Sequence, residues 1–366
     1  MAAPATAIWT LDPHTQAKHV ILRKYVDQWL PILSHGRFPK VVFIDGFAGP
    51  GVYEDGSDGS PIIALKAFLD HASPITAQVH FHFVEEKGQR ADVLAREISK
   101  LLEARGKPSN LHYTIYAGET FVEAYPKIIA AKSSSSAPML AFIDPFGWTG
   151  APISIVEDIL GRQSSEVLMN FMFEEINRFL AQPEQADNFD ALFGGPDWRR
   201  FIHTKGTERK VGIREYYAER LSTLAGARFV RFFEMRNSRD LTDYFLFFAT
   251  KSQKGLLAMK RAMWRVDDSG AFIFSDATNP NQLVLLDGGP DGREIERQIL
   301  RQFKGQVVKV PEIMQFVVEE TAYLDTHFKS VLKAMEEATP PRLEVVDAPQ
   351  RRRRGTFPDT VTIRFP

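Results

Sequence analysis

The sequence predicts a layered α/β fold with a mostly parallel sheet, followed by a small separate unit of helices and short strands. Three observations carry this. Apolar runs alternate with helical stretches through the first two thirds of the chain, the pattern of right-handed βαβ units. Two of those runs, Val41 to Asp45 and Ala141 to Asp144, end on an aspartate and open into turns rich in Gly, Pro or Phe. From about Gly292 the spacing changes to short helices and a terminal strand pair. Buried parallel strands read as continuous apolar runs, and ligands of open α/β sheets bind beyond the strands' carboxyl ends. Both aspartates are therefore expected to face one crevice.

Thr15 to Leu33 reads as a helix, with Leu22, Val26, Trp29 or Leu30, and Leu33 at helical spacing. Lys40 to Asp45 is the first strand, followed by a loop carrying Gly46, Gly49, Gly51, Gly56 and Gly59. Ser60-Pro61 makes a helix start, a cap and then proline at the first helical position. Strands are expected at Val79 to Glu85, His112 to Tyr116, Met139 to Asp144 and Val167 to Phe173. Helices fall between them at Ala91 to Leu102, at Phe121 to Ala130 and from Pro152. Residues 182–210 lose this rhythm and read as an insertion over the sheet's carboxyl edge, where insertions shape pockets. After a helix at Ile213 to Leu224, the apolar strands Phe229 to Met235 and Tyr244 to Thr250 close the sheet as a hairpin-like pair. Five βα units with such a closing pair predict a Rossmann-like, seven-stranded sheet whose last strand is antiparallel, the sheet of class I methyltransferases.

In the tail, Ile295, Ile299, Leu300 and Phe303 mark one helix, Ile313, Phe316 and Val317 a second, and Phe328, Val331, Leu332 and Met335 a third. Strands at Leu343 to Val346 and Thr360 to Phe365 follow, and together these elements predict a winged helix. The expected organisation is an N-terminal helical segment at 1–39 packed on the core, a Rossmann-like domain at 40–275, a linker at 276–291 and the winged helix at 292–366.

Composition narrows the chemistry. At 366 residues the chain is expected to form about two to three domains. Its net charge of -1 argues against whole-molecule steering onto polyanions, so any nucleic-acid contact must come from a local basic patch. The chain has no cysteine. It therefore offers no disulfide, no thiolate metal or iron–sulfur site and no thiol nucleophile. Residues Met1 to Thr10 lack the pattern of a signal peptide, and no apolar run approaches the roughly 18 residues of a membrane span. A cytoplasmic location with no membrane contact is expected.

Asp45-x-Phe47-Ala48-Gly49-x-Gly51 fits the first motif of S-adenosylmethionine-dependent methyltransferases, where glycines admit the cofactor's methionine part. A structural loop is the plain alternative. Glu85 ends the second strand where an acid can accept from ribose hydroxyls, with Glu86 as its competitor. Gly118-Glu119-Thr120 either approaches the adenine or simply caps a helix. Asp144-Pro145-Phe146-Gly147 resembles the Asp/Asn-Pro-Pro-aromatic motif of amine methyltransferases, with its aromatic one position out of register. In that role Asp144 and the Pro145 carbonyl accept hydrogen bonds from an amine, and Phe146 stacks on a planar acceptor. Methylation at C5 of cytosine, which needs a cysteine adduct, is excluded.

Arg351, Arg352, Arg353 and Arg354 sit in the expected wing, where arginines can neutralise phosphates; Lys329 and Lys333 lie on the expected third helix. Glu336 and Glu337 on the same helix would repel phosphate, and a solvated loop is the ordinary reading of a charge run. His14-Thr15-Gln16-Ala17-Lys18-His19 is read as a helix packed over the crevice rather than a metal site. Glu174, Asn177 and Arg178 follow the fifth strand, where target-binding residues often sit, although a solvated helix face accounts for them better.

Together, His14-Thr15-x-x-Lys18-His19, Phe43-Ile44-Asp45-Gly46-Phe47-Ala48-Gly49-Pro50-Gly51-x-Tyr53, Gly59-Ser60-Pro61, Phe142-Ile143-Asp144-Pro145-Phe146-Gly147 and Asn170-Phe171-Met172 through Asn177-Arg178 resemble the three-Cys-motif partner family over most of residues 8–266. The resemblance implies a methyltransferase-like domain with an attached winged helix. It also implies a partner with three clustered cysteines, of the kind that hold a radical S-adenosylmethionine iron–sulfur cluster. Two functions follow as expectations. One is S-adenosylmethionine-dependent methylation of nucleic acid or a nucleobase-like amine. The other is a non-catalytic cofactor-binding or docking partner that recruits the radical protein to nucleic acid. A nicotinamide enzyme is disfavoured because the glycines lack G-x-G-x-x-G spacing.

Overall fold

A computed structural model describes residues 6–36, 38–276, 290–349 and 352–366. It divides into two compact units, Met1–Gly255 with Ile273–Gln282, and Leu256–Phe272 with Leu283–Pro366.

The first unit opens with α1 (Pro13–Ser34), then alternates β1 (Lys40–Asp45), α2 (Ser60–Leu69), β2 (Gln78–Glu85), α3 (Gly88–Arg105), β3 (Leu111–Ala117), α4 (Phe121–Ala130), β4 (Met139–Ile143), α5 (Ile153–Gly161) and β5 (Glu166–Phe171). Then come α6 (Phe173–Phe179), α7 (Ala186–Phe193), α8 (Gly206–Thr223), β6 (Phe229–Arg236) and β7 (Thr242–Thr250), with α9 (Gln253–Met263) leading out and β8 (Ile273–Ser275) returning. The sheet order is β3-β2-β1-β4-β5-β7-β6-β8. β7 runs antiparallel between β5 and β6, and the other strand pairs are parallel. The central strands β1, β4, β5 and β7 are buried on both faces, which is why they read as unbroken apolar runs. β3, at the edge, alternates instead.

Among the described residues the sheet has eight strands, not the expected seven. The addition, β8, is three residues long beside β6, too short to leave a period in the sequence. Residues 182–210, read as an insertion, form α7, two short 3-10 turns and the start of α8, and Phe189, Phe193, Trp198 and Phe201 join the core. Ser60 is the first helical residue of α2 and Gly59 holds the cap position.

The start of α4 follows local chemistry as read, whereas Pro152, expected to start a helix, holds the cap position of α5. Thr120 and Glu123 close a reciprocal capping box on α4, with Thr120 Oγ1 accepting from the Glu123 amide at 3.3 Å and Glu123 Oε2 accepting from the Thr120 amide at 2.9 Å.

The second unit contains most of α9, then α10 (Gly292–Phe303), β9 (Val307–Lys309), α11 (Val310–Glu320), α12 (Phe328–Glu337), β10 (Glu344–Asp347) and β11 (Thr362–Arg364). The three helices of the tail stand where the periodicity put them. Their strands form a three-stranded antiparallel sheet, β10-β11-β9, where two strands were expected. β9 is only three residues long and runs straight into α11. Residues 256–272 cluster with this unit rather than with the large sheet, because the fully buried Lys260 donates to the carbonyls of Val317 (3.2 Å), Val318 (2.9 Å) and Tyr323. Among the described residues no helix is long and apolar enough to cross a membrane.

Candidate active-site crevice

The loop after β1 is shaped by glycine at defined points. Gly49 and Gly51 adopt φ of 62° and 77°, a region that side chains disfavour. A Cβ on Gly51 would lie 2.7 Å from Leu94 Cδ1, and one on Gly59 would lie 2.9 Å from the Gly51 carbonyl carbon. The loop closes on itself as the Gly59 amide donates to the Gly51 carbonyl at 2.8 Å.

Asp45 lies wholly buried beneath this loop. Its Oδ1 accepts from the Phe47 amide at 3.2 Å, while Oδ2 has no partner. Burial, relieved in part by Ser60 and the Phe47 amide and reinforced by Asp144 and Glu85, pushes its carboxyl up to about 7.

Two neighbouring cavities open at the carboxyl ends of the strands. The first, about 160 Å3, is walled by the glycine loop and Phe47 together with Lys18, Asp144, Asn170 and Tyr244. The second, about 340 Å3, is walled by Glu85, Glu119, Thr120, Arg90 and Phe121. Phe47, Pro145 and Phe146 belong to both walls. Between them the Arg90 guanidinium lies 4.7 Å over Trp9 and 5.8 Å over Phe146, and Trp9 meets Phe146 edge-on at 5.5 Å. Phe146 itself is 41% exposed.

The structure thus brings Phe47, Gly49, Gly51, Glu85, Glu119, Asp144, Pro145 and Phe146 to one crevice. Glu85 Oε1 accepts from the Lys87 amide at 2.8 Å, and burial raises its carboxyl despite that bond and nearby Arg90. Gly118 is not on either wall; its amide donates to the Glu85 carbonyl at 2.9 Å. Glu119 is paired with Lys127 at 2.5 Å.

Asp144 stands just past β4, and both its oxygens are engaged. Lys18 Nζ approaches Oδ2 at 2.5 Å, and Asn170 Nδ2 donates to Oδ1 at 2.8 Å. Lys18 comes from α1 and Asn170 from β5, and they are only 4% and 3% exposed. His19 beside them is held down at about 3, chiefly by burial and then by Lys18, so its imidazole is neutral. His14 Nδ1 sits 2.7 Å from Asp276 Oδ2, and its Nε2 lies 3.5 Å from Asp243. The opening histidine–lysine segment, read from the sequence as packing, therefore supplies polar wall to the first cavity.

The remaining candidates lie elsewhere. Glu174, Asn177 and Arg178 are on α6 and on neither wall; Asn177 accepts from Arg209 at 3.1 Å, and Arg178 pairs with Glu175 at 3.1 Å. In the second unit, Arg351 lies outside the described residues. Arg352 forms a two-pronged pair with Glu336 at 2.9 and 2.7 Å and is largely covered. That pair neutralises one of the two carboxylates expected to repel phosphate; Glu337 is exposed. Arg353, Arg354, Lys329 and Lys333 are exposed, Arg354 donating to the Glu336 carbonyl at 2.9 Å.

The chain matches no protein-family model and no curated protein. Among solved structures it is similar to protein LPL1258 of Legionella pneumophila, at 10% identity over 64% of this chain and 84% of that one, with a TM-score of 0.38. It is similar to a candidate methyltransferase of Escherichia coli at 16% identity, over 46% and 75%, TM-score 0.28. A candidate S-adenosyl-L-methionine-dependent methyltransferase of Methanococcus maripaludis aligns at 10% identity over 69% and 97%, TM-score 0.27.

Proposed function

We propose that this chain binds S-adenosylmethionine and transfers its methyl group to an amine of a nucleic acid or of a nucleobase-like molecule. One observation carries the reading: the glycine loop after β1, Glu85 after β2 and Asp144-Pro145-Phe146 after β4 all open onto paired cavities that share Phe47, Pro145 and Phe146. Ligands of such sheets bind at the carboxyl ends of strands beside the order reversal, here β1 and β4.

The residues present fit the cofactor. Glu85 and Glu119 suit a ribose and adenine in the second cavity, and Gly49 and Gly51 admit a methionine chain close to backbone. Asp45 keeps a buried oxygen without a partner beside that loop, which suits an ammonium. The bound cofactor would supply an electrophilic methyl group, the N–C bond forming as the S–C bond breaks, with S-adenosylhomocysteine leaving and the methylated nitrogen giving its extra proton to solvent; the chain's own part is to hold the acceptor in line. Phe146 offers an exposed aromatic face for a planar acceptor.

In the second unit, three helices and an antiparallel sheet support the winged-helix reading, and exposed Arg353, Arg354, Lys329 and Lys333 support contact with DNA or RNA phosphates. A three-Cys-motif radical protein is the partner we propose, on the sequence resemblance alone.

Docking without catalysis is favoured by a different observation. Asp144 already accepts from Lys18 on one oxygen and from Asn170 on the other, which leaves fewer of its acceptor sites for an amine.

Calorimetry with S-adenosylmethionine, followed by labelled-methyl transfer to DNA, RNA and the partner, separates the two. Methyl transfer requires cofactor binding that Glu85→Ala weakens at least ten-fold, and transfer that Asp144→Ala abolishes while binding persists. Binding without transfer to any acceptor selects the docking role. No binding at all ends the cofactor reading.

A further inference from the structure

Resting on the methyltransferase reading, we infer that Asn170 and Lys18, rather than Asp144, read the acceptor, and that it is an amino-heterocycle presenting an exocyclic amine beside a ring nitrogen. The geometry starts from Asp144. Its Oδ1 accepts from Asn170 Nδ2 at 2.8 Å, and since a carboxylate can only accept, this fixes the orientation of the Asn170 amide. The amide's second hydrogen faces Met172 Sδ at 3.3 Å. Asn170 Oδ1 is left buried with no hydrogen-bond partner, on a side chain 3% exposed that walls the first cavity. A buried acceptor without a donor is costly, and a ligand N–H would relieve it.

On the other oxygen of the same carboxylate sits Lys18 Nζ, which has three donors, one of them spent on Asp144. Its ammonium also lies 5.3 Å over the Tyr244 ring. One carboxylate therefore anchors an acceptor and a donor in the lining of one cavity, which Phe47 and Phe146 also line. Adenine and cytosine offer the matching edge, an amine hydrogen next to a ring nitrogen that accepts. Hypoxanthine and uracil replace the amine with a carbonyl oxygen. Reversing their edge to bind would put the reactive position on a ring N–H that must first lose its proton. Asp144, held by Lys18, and His19, which burial and Lys18 make a weak proton acceptor at about 3, leave the wall no strong base for that step. The pairing is blind to whether the base is free or in a strand.

The test uses the full chain with sinefungin bound. Adenosine, cytidine, inosine and uridine are titrated by calorimetry, alongside single-stranded oligonucleotides of dA, dI, dC and dT. The expected result is that adenosine or cytidine, or the dA or dC strand, binds at least ten-fold more tightly than its oxo counterpart. That preference should vanish in Asn170→Ala and in Lys18→Met, while the affinity for S-adenosylmethionine stays within three-fold of the parent. Preference seen only with oligonucleotides identifies a strand as the source; preference seen with nucleosides identifies free molecules. Equal binding of amino and oxo compounds, or none, by a protein that still binds S-adenosylmethionine overturns this inference alone. Failure to bind S-adenosylmethionine overturns the function on which it rests. Lys18→Arg keeps the donor and should retain the preference, which a merely structural lysine would not require.

Discussion

Asp45 shows how a single residue sets the conditions of a site. It is buried beneath the glycine loop, and its carboxyl is raised from an ordinary 3.8 to about 7, so it is largely protonated below that pH and charged above it. If its unpartnered oxygen receives the cofactor's ammonium, affinity must grow as the charge appears. We expect S-adenosylmethionine binding to tighten about ten-fold between pH 6 and pH 8, since the charged fraction rises by that factor around such a midpoint. Asp45→Asn should bind weakly with a flat profile; calorimetry at the two pH values is the check, and a pH-independent parent would remove Asp45 from the cofactor's grip. Lys18 was visible in the sequence only as a cation between two histidines. Its contact with Asp144 spans 126 positions, and no local spacing encodes a contact of that range. Asn170 carried a weak sign, an amide inside an otherwise apolar strand, which on a buried strand must find a partner.

At the scale of elements, Glu166 ties three of them together. It opens β5 fully buried, accepting from Tyr25 on α1 and, at 2.6 Å, from Thr250 on β7. Burial raises its carboxyl from 4.5 to about 7 against those two donors. A group raised on folding favours the folded state while protonated. Its contribution is full below about 4.5 and is lost as pH rises through about 7, a change on the order of 3 kcal/mol at most. Glu166→Gln should therefore flatten the melting temperature between pH 5 and pH 8 and stabilise the protein at pH 8. Part of the slope remains because Asp45 titrates in the same window. Thermal melts of the two proteins decide it: parallel curves would show that Glu166 is charged in the fold throughout. Strand and helix positions were legible here because β1, β4, β5 and β7 are buried on both faces. β8 and β9, three residues each, owe their pairing to neighbours rather than to their own period.

Over the whole molecule, residues 256–272 separate the fold from its sequence reading. They follow the last long strand of the sheet, and the sequence assigned them to it. Lys260 instead closes the carboxyl end of α11, Trp264 Nε1 donates to the Ala322 carbonyl at 2.9 Å, and Arg261 holds Asp325 at 2.9 Å. A fragment of residues 253–366 should melt cooperatively, whereas residues 290–366, which leave those carbonyls without their buried cation, should lose several kcal/mol or fail to fold, roughly the cost of stripping a buried charge partner. Circular dichroism melts suffice, and equal midpoints would mean that 256–272 adds nothing to that unit.

What the sequence determined by itself was the alternation of buried strands and helices, the two aspartate-ended strands, the glycine loop and the three tail helices. Each is written in local period, turn chemistry or composition, which neighbouring residues alone suffice to carry. The tertiary structure decided how those parts meet: that Asp144 is held by Lys18 and Asn170, that residues 182–210 fill core instead of shaping the crevice, and that Arg352 pairs with Glu336. These are contacts between distant segments, selected by the desolvation of buried charges and amides, and a burial cost exists only once the chain has folded.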